Sequence, residues 1–250
     1  MSRPMVSVIT PTFNSSAFVR EALQSVCNQT VQDWEHIVVD DCSQDNTREI
    51  LREKAGSEQR LRLFFLNVNC GPAQARNAGI SAARGRYIAF LDSDDLWEPD
   101  KLALQLQAMQ ESGTAFVYGA YYRMVEGSSK KTLIPVPGSI DYQGLLNSTV
   151  IATLTAMYDT KKLGRVLMPE IRKRQDYALW LKLLRMTPRA HGVAQPLGTL
   201  RKRPGSLSSN KLNSMYYTWR VYRKCESLSM VRSLYHFCNY AWRAFKKSLR

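Results

Sequence analysis

The sequence predicts an α/β protein built on a parallel sheet with helices on both faces. Short apolar, β-branched segments alternate along the first half with segments whose apolar residues recur at helical spacing. The strand segments are apolar almost throughout, as strands buried on both faces are. With 250 residues, of which 44% are hydrophobic, the chain can bury one sizeable core. In such sheets, ligands bind outside the carboxyl ends of the strands.

The predicted elements follow one another regularly. The first helix, residues 18–27, places Phe18, Ala22 and Val26 on one face. The second begins after Asp45, a suitable capping residue, and the third begins with a proline, which is favoured in a first turn. Strands are predicted at 5–12, 35–40, 62–66, 87–91 and 114–124, helices at 46–54, 72–83, 100–111 and 175–185, and a loop at 125–139.

The net charge of +14 is unevenly distributed along the chain. Residues 1–160 carry 14 basic and 18 acidic side chains, a net charge of −4, whereas residues 161–250 carry 21 basic and 3 acidic ones, a net charge of +18. Such a basic half predicts an anionic partner, which charge alone leaves open between nucleic acid, a lipid surface and a phosphorylated substrate.

Several classes of protein are disfavoured by what the sequence lacks. No apolar run approaches the roughly 18–20 residues of a membrane-spanning helix, and the first apolar segment is too short for a signal peptide and reaches Pro11. The five cysteines are scattered without a Cys-x-x-Cys pair, so we expect a cytoplasmic protein without a disulfide framework. Glycine-rich nucleotide loops and the Gly-x-Ser-x-Gly elbow are missing, which argues against dehydrogenases, common NTPases and hydrolases.

Carboxylates follow two of the predicted strands. Asp40 and Asp41 close the second strand, and Asp92, Asp94 and Asp95 follow the fourth. Carboxylates this close raise one another's pKa unless a cation lies among them, and hard oxygen ligands suit Mg²⁺ or Mn²⁺ shared with substrate phosphates. A solvated acidic loop or a turn before a helix is the alternative interpretation.

The sequence resembles family 2 of the glycosyltransferases, closely over residues 5–110 and more loosely to about residue 210. Four ordered motifs at strand ends carry the resemblance. They are Val6-Ser7-Val8-Ile9-Thr10-Pro11-Thr12-Phe13-Asn14, Ile37-Val38-Val39-Asp40-Asp41-Cys42-Ser43, Asn69-x-Gly71-x-x-x-Ala75-Arg76-Asn77 and Phe90-Leu91-Asp92-Ser93-Asp94-Asp95. The resemblance implies a GT-A fold, with a nucleotide-binding half and an acceptor-binding half, and inversion of configuration at the anomeric carbon.

The resemblance also implies how a nucleotide-diphosphate sugar, with a UDP-sugar favoured, is bound. Pro11 and Phe13 would pack near the base, and Asp41, with Asp40, would hydrogen-bond to it. Arg76 would lie near the sugar or the diphosphate, although a surface arginine on a helix is the alternative.

Metal binding and closure over the donor are implied in the same way. Asp92 and Asp94 match the two acids of the family's DxD motif, with Asp92 towards the ribose and Asp94 binding Mn²⁺ or Mg²⁺ at the diphosphate. Arg201, Lys202 and Arg203 match a loop that closes over the donor in related enzymes, and which of them reaches phosphate is left open.

An inverting transfer needs a general base for the attacking hydroxyl. In the family this is the aspartate of a Glu-Asp pair at the start of a helix, which corresponds here to Asp176. The chain departs from the pattern because Gln175 replaces the glutamate. Asp176 is also the one carboxylate side chain between Glu170 and Glu226. A simple acidic residue at a helix N-terminus is the alternative interpretation.

The predicted function is a non-processive, metal-dependent glycosyltransferase, since the motif of processive synthases is missing. It resembles bacterial enzymes of O-antigen, capsule or exopolysaccharide assembly, which implies a lipid-linked saccharide acceptor. The predicted divisions are a catalytic domain over 1–210, with a donor half to about 112 and an acceptor half from 113, and a basic tail over 211–250. A nucleic-acid-binding protein and a metal-dependent nucleotidyltransferase are the competing hypotheses.

Apolar and aromatic residues of the tail recur at alternating spacings of three and four, so they form one helical stripe. With basic residues elsewhere on the helix, this composition is typical of helices at membrane interfaces. We expect either peripheral contact with the inner face of the membrane, or packing on the catalytic domain or a second subunit. The stripe consists of Leu228, Val231, Tyr235, Cys238, Trp242, Phe245 and Leu249.

Overall fold

The computed structural model describes residues 3–203 and 211–248. Its central element is a mixed β-sheet flanked by helices. Within these residues the sheet has ten strands. The strands are β1 (Val6–Thr12), β2 (Trp34–Asp40), β3 (Leu61–Phe65), β4 (Tyr87–Phe90), β5 (Leu96–Trp97), β6 (Phe116–Val125), β7 (Lys131–Ile134), β8 (Ser139–Ile140), β9 (Met157–Asp159) and β10 (Ala190–Lys202). The helices are α1 (Val19–Cys27), α2 (Thr47–Ser57), α3 (Pro72–Ala82), α4 (Lys101–Ser112), α5 (Tyr142–Leu146), α6 (Thr160–Leu163), α7 (Gln175–Leu184), α8 (Lys211–Arg220) and α9 (Met230–Ser248).

The predicted α/β class is confirmed, and the predicted helices and strands of the first half end within three residues of the observed ones. β1 and β2 are buried along their whole length, as their apolar composition predicts. Strands β3, β2, β1 and β4 lie side by side in that order and run parallel. Their carboxyl ends therefore meet at one edge of the sheet, which is where ligands bind in open α/β sheets.

The prediction of a parallel sheet is correct for β1 to β4 and does not extend to the rest of the sheet. β9 lies between β4 and β6 and runs antiparallel to both, and β10 returns parallel to β6. β9 has only three residues and follows irregular chain, so it lacks the long apolar run that identifies the other strands. One continuous sheet thus crosses the predicted division near residue 112, and that division stays a prediction.

The predicted loop at 125–139 is also wrong in part. It contains β7, which pairs antiparallel with β6, and the beginning of β8, which pairs with β10. β7 is a mostly exposed, lysine- and threonine-containing strand, so it lacks the apolar alternation by which half-buried strands are recognised.

Helix α7 is anchored by its buried aromatic and aliphatic face. The Trp180 ring lies 5.5 Å from the rings of both Phe90 and Phe116, so it joins α7 to β4 and β6. Leu179, Leu183 and Leu184 are buried beside it. These contacts place this face of α7 in the core, and they fix the helix whose first turn carries Asp176.

The tail packs against the acceptor side through one face. α8 continues into a π-helical segment, Val221–Cys225, whose Val221 and Tyr222 side chains are fully buried in the same core as α7. The predicted boundary at 210 lies outside the described residues and stays a prediction. No helix in the described ranges is both long enough and apolar enough to cross a bilayer.

The apolar stripe of the tail does not form the packed face of α9. Leu228 is buried, but Val231 and Tyr235 are 79% and 63% exposed, and Cys238 and Trp242 are also exposed. The packed face instead contains Ser233, His236 and Tyr240. The prediction that these exposed stripe residues pack on the catalytic domain is therefore wrong. Phe245 and Leu249, the last two members of the predicted stripe, lie outside the side chains that the structure describes.

Candidate active site

The loops after the first four strands converge and are joined by hydrogen bonds. The hydroxyls of Ser15, after β1, and Ser93, after β4, are 2.8 Å apart. The backbone N–H of Ser15 donates to the hydroxyl of Thr47 at 2.8 Å, which joins the β1 and β2 loops. Because these loops hold one another, the residues that they carry form one preorganised surface at the sheet edge.

Asp40 is buried beneath this surface and accepts hydrogen bonds from the strand-end loops. Its carboxylate is fully buried and accepts hydrogen bonds from the Ser43 backbone N–H and from the Thr12 hydroxyl, both at 3.1 Å. Arg48 lies 2.5 Å away and balances its charge. The Asp40 carboxylate is therefore held by protein groups on both of its oxygens. Its position and partners indicate a structural role for this carboxylate.

Asp41 joins the β2 loop to the loop before α3. Its two carboxylate oxygens accept the backbone N–H groups of Cys70 and Gly71, each at 2.7 Å. Gly71 has φ +85°, which side-chain-bearing residues rarely adopt, so glycine is needed for this contact. A carboxylate has about four lone-pair sites, so each oxygen of Asp41 keeps acceptor capacity for a ligand.

The two residues expected near the base differ in exposure. Pro11 is buried within β1, whereas Phe13, just past the end of β1, is 47% exposed. A ring that is only half covered at the ligand-binding edge can stack on a planar ligand. Phe13 is therefore the one of the pair whose side chain can contact a nucleotide base.

Two arginines from distant segments meet the acidic motif after β4. Arg76, from α3, forms an ion pair with Asp92, and Arg203, just past β10, lies 2.7 Å from Asp94. Burial raises the pKa of Asp94, and Asp92 raises it further, while Arg203 opposes both effects. The sequence left open which basic residue of 201–203 reaches the donor site, and the structure directs Arg203 into the motif and leaves Lys202 exposed.

Arg76 lies at the electrostatic centre of the site. Its residue is only 6% exposed, and within the described chain its Nε and Nη1 atoms lack hydrogen-bond partners. Burial lowers the pKa of Arg76, but Asp92, Asp176 and Asp94 together raise it above its usual value. The acids expected on the donor side and the acid expected as the base therefore act on the same guanidinium.

Asp95 and Arg201 form the floor beside the motif. Asp95 is buried and accepts the backbone N–H of Arg201 at 2.9 Å. Burial raises the pKa of Asp95 well above its usual value, and Asp94 and Asp92 raise it further. The Arg201 side chain pairs with Glu21 at 2.8 Å. Arg201 is thus directed towards α1, whereas Arg203 is directed towards the acidic motif.

The motif suits a cation shared with a ligand better than one held by protein alone. Among the described residues, no three His, Cys, Asp or Glu side chains come together as a metal site. Asp92 and Asp94 are partly exposed at the strand end, and burial together with the neighbouring Asp92 raises the pKa of Asp94. Mg²⁺ is commonly bound by one or two carboxylates together with substrate phosphates. The residues present fit that kind of site.

Asp176 lies in the first turn of α7 and is held by uncharged donors. The Thr153 hydroxyl donates to its Oδ2 atom at 3.0 Å, and the Tyr177 backbone N–H donates to its Oδ1 atom at 2.8 Å. Gln175, which replaces the family's glutamate, is buried, and its Oε1 atom has no partner in the described part of the chain. No carboxylate therefore competes with Asp176 from the preceding position.

Two of the three histidines, His36 and His236, have structural positions. His36 is buried in β2, its ring nitrogen lies 2.8 Å from the Thr10 hydroxyl, and burial lowers its pKa to about 3. His236 lies on the packed face of α9, 2.9 Å from Asn147. Neither ring contacts the acidic motif, so Asp176 keeps its place as the candidate base.

Three site-forming residues escape sequence reasoning. The Phe18 ring lies under both arginine side chains, with Arg203 4.7 Å and Arg201 5.2 Å from its centroid. Thr153 contacts Asp176 across 23 residues of sequence, and Ser15 reaches Ser93 across 78. The serine after β1 could have been suspected from its place in a strand-end loop, but Thr153 has no local signal.

These features together define a class of protein: an α/β protein with an acidic, arginine-paired cluster at its sheet edge and the candidate base Asp176 beside it. The sequence profile described as glycosyl transferase family 2 matches residues 7–164. The chain belongs to this family and is a glycosyltransferase. The competing hypotheses of a nucleic-acid-binding protein and a nucleotidyltransferase are thereby set aside.

Two relatives are similar over nearly their whole length. The putative teichuronic acid biosynthesis glycosyltransferase TuaG of Bacillus subtilis is 42% identical over 248 residues, which cover 99% of this chain and 98% of the relative. The UDP-Glc:alpha-D-GlcNAc-diphosphoundecaprenol beta-1,3-glucosyltransferase WfgD of Escherichia coli is 34% identical over 244 residues, covering 97% and 94%. Both support the family assignment across the acceptor half and the tail.

The fold is also that of a solved glycosyltransferase. Residues 1–349 of TarS from S. aureus, in complex with UDP-GlcNAc, superimpose with a TM-score of 0.74 at 22% identity, covering 97% of this chain and 73% of that one. The mannosyltransferase PcManGT from Pyrobaculum calidifontis, in complex with GDP-Man and Mn²⁺, gives a TM-score of 0.62 at 19% identity, covering 90% and 64%. The expected GT-A fold is confirmed by the likeness to TarS.

Proposed function

We propose that the protein is an inverting, metal-dependent, non-processive glycosyltransferase. It transfers one sugar from a nucleotide-diphosphate sugar to a hydroxyl of a lipid-linked saccharide during surface polysaccharide synthesis. The observation that carries this proposal is the pair of ion pairs at the carboxyl ends of the parallel strands, Asp92 with the buried Arg76 and Asp94 with Arg203, together with the action of Asp176 on the same Arg76 guanidinium. It supports a donor diphosphate and an acceptor hydroxyl meeting at one point.

Donor binding rests on the converged strand-end loops. Phe13 stacks on the base, and the free acceptor capacity of Asp41 serves the base edge. Arg76, whose Nε and Nη1 have no partner in the described ranges, and Arg203 provide positive charge for the diphosphate. A UDP-sugar is favoured because the solved TarS complex contains UDP-GlcNAc and the name of WfgD specifies UDP-Glc.

A divalent metal, Mn²⁺ or Mg²⁺, would be held by Asp94 and Asp92 and would supply positive charge to the leaving diphosphate. Arg203 pairs with Asp94, and its guanidinium suits phosphate oxygens as well as carboxylate. Donor binding therefore gives Arg203 a second anionic partner. PcManGT, with its GDP-Man and Mn²⁺, supports a metal in this fold.

The chemical step is a displacement at the anomeric carbon. Asp176 accepts the proton of the acceptor hydroxyl while that oxygen forms a bond to the anomeric carbon. The bond from this carbon to the diphosphate oxygen breaks, and its electron pair leaves with the nucleoside diphosphate. Arg76 and Arg203 stabilise the charge that develops there. Attack from the opposite face inverts the anomeric configuration.

The acceptor class is inferred from relatives and from charge. WfgD is named for a GlcNAc-diphosphoundecaprenol acceptor, and TuaG for teichuronic acid biosynthesis. The segment before Asp176 is basic, with Arg172, Lys173 and Arg174 in succession. Positive charge beside the base suits an acceptor whose first sugar carries a diphosphate linked to lipid.

Donor choice is tested by thermal shift with a panel of nucleotide sugars, each with Mn²⁺, because a ligand of the folded state raises its apparent stability. Transfer from the donor that binds is then assayed with a short-chain lipid diphosphate saccharide, and the anomeric configuration of the product is assigned by NMR. We expect one UDP-sugar to give an inverted product. A retained configuration, or full activity in a metal chelator, would contradict the proposed mechanism.

The tail supports a place at the inner face of the membrane. On α9, Val231, Leu234 and Tyr235 are exposed beside the exposed basic residues Arg232 and Arg243. The tail's single acidic side chain, Glu226, is buried, accepts from the Tyr142 hydroxyl at 2.7 Å and lies 3.4 Å from Arg185. An all-cationic surface attracts anionic lipid but repels a second copy of itself. A lipid surface is therefore the occupant that we propose, in preference to a homo-oligomer.

Liposome sedimentation tests this part of the proposal. We expect binding to vesicles containing phosphatidylglycerol and little binding to phosphatidylcholine alone. Val231→Ser with Tyr235→Ser should weaken binding about 10-fold or more, given 1.5–3 kcal/mol or so for each large apolar side chain buried. Leu133→Ser, on the exposed strand β7, is the matched control. Equal binding to both lipids, or a stable dimer in solution, would overturn the proposed contact of the tail with an anionic lipid surface.

A further inference from the structure

The 3₁₀ turn Thr153–Thr155 contacts the candidate base from outside its own helix. The Thr153 hydroxyl donates to Asp176 Oδ2 at 3.0 Å, while Oδ1 accepts the Tyr177 backbone N–H at 2.8 Å. The two oxygens are thus held by two donors from different segments of chain. A carboxylate held at both oxygens has one side-chain orientation rather than several.

The turn itself is fixed to the donor half. The Trp97 indole N–H donates to the Leu154 carbonyl at 2.9 Å, and the Gln105 amide donates to the Thr155 carbonyl at 2.6 Å. Trp97 is buried in β5, two residues past Asp95. The segment that carries the acidic motif therefore continues directly into the residue that holds this turn.

We propose that Thr153 is a positioning residue for Asp176, and this proposal rests on the proposed role of Asp176 as the base. The Thr153 hydroxyl holds the carboxylate so that a lone pair faces the acceptor hydroxyl. Through Leu154 and Trp97, the same turn sets the distance between the base and the donor-binding acids. A general base works only within hydrogen-bond reach of its proton, and a displacement of about 1 Å can cost about 100-fold in rate.

A hydroxyl donor suits this task better than a cation. An arginine or lysine in a direct ion pair with Asp176 would hold its charge strongly and compete with the incoming proton. Arg76 acts on Asp176 electrostatically, but its hydrogen-bonded ion pair is with Asp92. The threonine hydroxyl is neutral, so it fixes direction at a smaller cost in proton affinity. The acids of the donor motif have arginine partners instead, which indicates that the two kinds of carboxylate are held for different purposes.

The test compares two substitutions of one side chain. Thr153→Val keeps the shape and removes the donor, whereas Thr153→Ser keeps the hydroxyl. We expect Thr153→Val to lower kcat for transfer about 10- to 100-fold, the usual value of a hydrogen bond to a charged group. KM for the donor, and the melting shift that the donor produces, should stay within about twofold of the unsubstituted protein. Thr153→Ser should restore kcat to within about threefold.

Thr155→Val is the matched control, because the Thr155 hydroxyl bonds to the Ala152 carbonyl at 2.8 Å within the same turn and does not contact Asp176. Thr153 is only half-buried, and Thr153→Ala serves if the valine variant melts early. The proposal fails if Thr153→Val keeps its kcat, if serine is as poor as valine, or if Thr155→Val is equally impaired. Asp176→Asn separates the two proposals: full activity there refutes the base, whereas loss there with an active Thr153→Val refutes only the positioning.

Discussion

The carboxylates on the two sides of this site are held in opposite ways. On the donor side, Asp92 and Asp94 each pair with an arginine from another segment. On the acceptor side, Asp176 receives hydrogen bonds from a hydroxyl and a backbone N–H. Paired charges can exchange partners when a diphosphate and its metal arrive, whereas a carboxylate with neutral donors keeps its capacity to accept a proton. In the proposed mechanism, this difference separates donor binding from base chemistry within one cluster of acids.

The largest effect is expected at the base. Asp176→Asn keeps the shape and the Thr153 contact geometry but removes the proton acceptor, so transfer should fall about 10²- to 10⁴-fold. Binding of the UDP-sugar, measured by its melting shift, should be unchanged, because the donor-side ion pairs are intact. Transfer near the original rate would show that Asp176 does not accept the proton of the acceptor hydroxyl.

Removing a donor-side acid should have the opposite signature. Asp94→Asn should lower kcat/KM about 100-fold and abolish the Mn²⁺-dependent part of the donor's melting shift, since metal coordination contributes several kcal/mol in such sites. A chelator should reproduce this result in the unsubstituted protein. Asp100→Asn, an exposed acid before α4, is the control. Metal-dependent binding that survives in Asp94→Asn would remove this residue from the metal site.

A smaller effect is expected when an arginine is replaced. Arg203→Gln removes the charge that pairs with Asp94 and should raise KM for the donor about 10-fold, which corresponds to one charge-assisted hydrogen bond. The neighbouring Lys202→Gln should change KM less than about twofold, because Lys202 is exposed. Steady-state kinetics of the two variants decide whether one or both basic residues serve the diphosphate.

The smallest effect should be on stability alone. The Arg174 guanidinium, next to Gln175 at the start of α7, donates to the Tyr240 hydroxyl of α9 at 2.8 Å. Tyr240→Phe should lower the free energy of unfolding by about 1 kcal/mol and leave kcat within about twofold. Denaturant unfolding of Tyr240→Phe and of Tyr235→Phe, whose ring is exposed, measures the difference. A large loss of kcat in Tyr240→Phe would show that the tail contributes to the function of the base.

The donor side was predictable because its signals are local. Each of β1 to β4 is a short apolar run, and its ligand-binding residues follow it within a few positions. The sequence could not separate Asp40 from Asp41, since both are buried and they differ in their partners: Asp40 pairs with Arg48, whereas Asp41 accepts the backbone N–H groups of Cys70 and Gly71. It also could not show that Arg76 and Arg203 form ion pairs with the acids of the motif after β4, because the partners of each pair come from different elements.

The acceptor side was less predictable because its contacts are distant and its strands are weak. β9 is three residues long, and β7 is mostly exposed, so neither has the pattern of a buried strand. Asp176 was found through its family motif, but the hydroxyl that holds it lies 23 residues earlier. The tail's periodicity predicted a helix correctly, yet it did not show which face would be covered.

The burial of Glu226 has a consequence for how the tail responds to its surroundings. Burial and the nearby Arg232 lower the pKa of His236, and the exposed charges of the described tail are arginine and lysine, which stay protonated at neutral pH. Acidification from about pH 8 to pH 6 therefore leaves the tail's charge nearly constant. Ionic strength acts instead, because the Debye length falls from about 30 Å at 0.01 M salt to about 8 Å at 0.15 M. Attraction to an anionic surface should thus weaken with added salt and remain insensitive to pH.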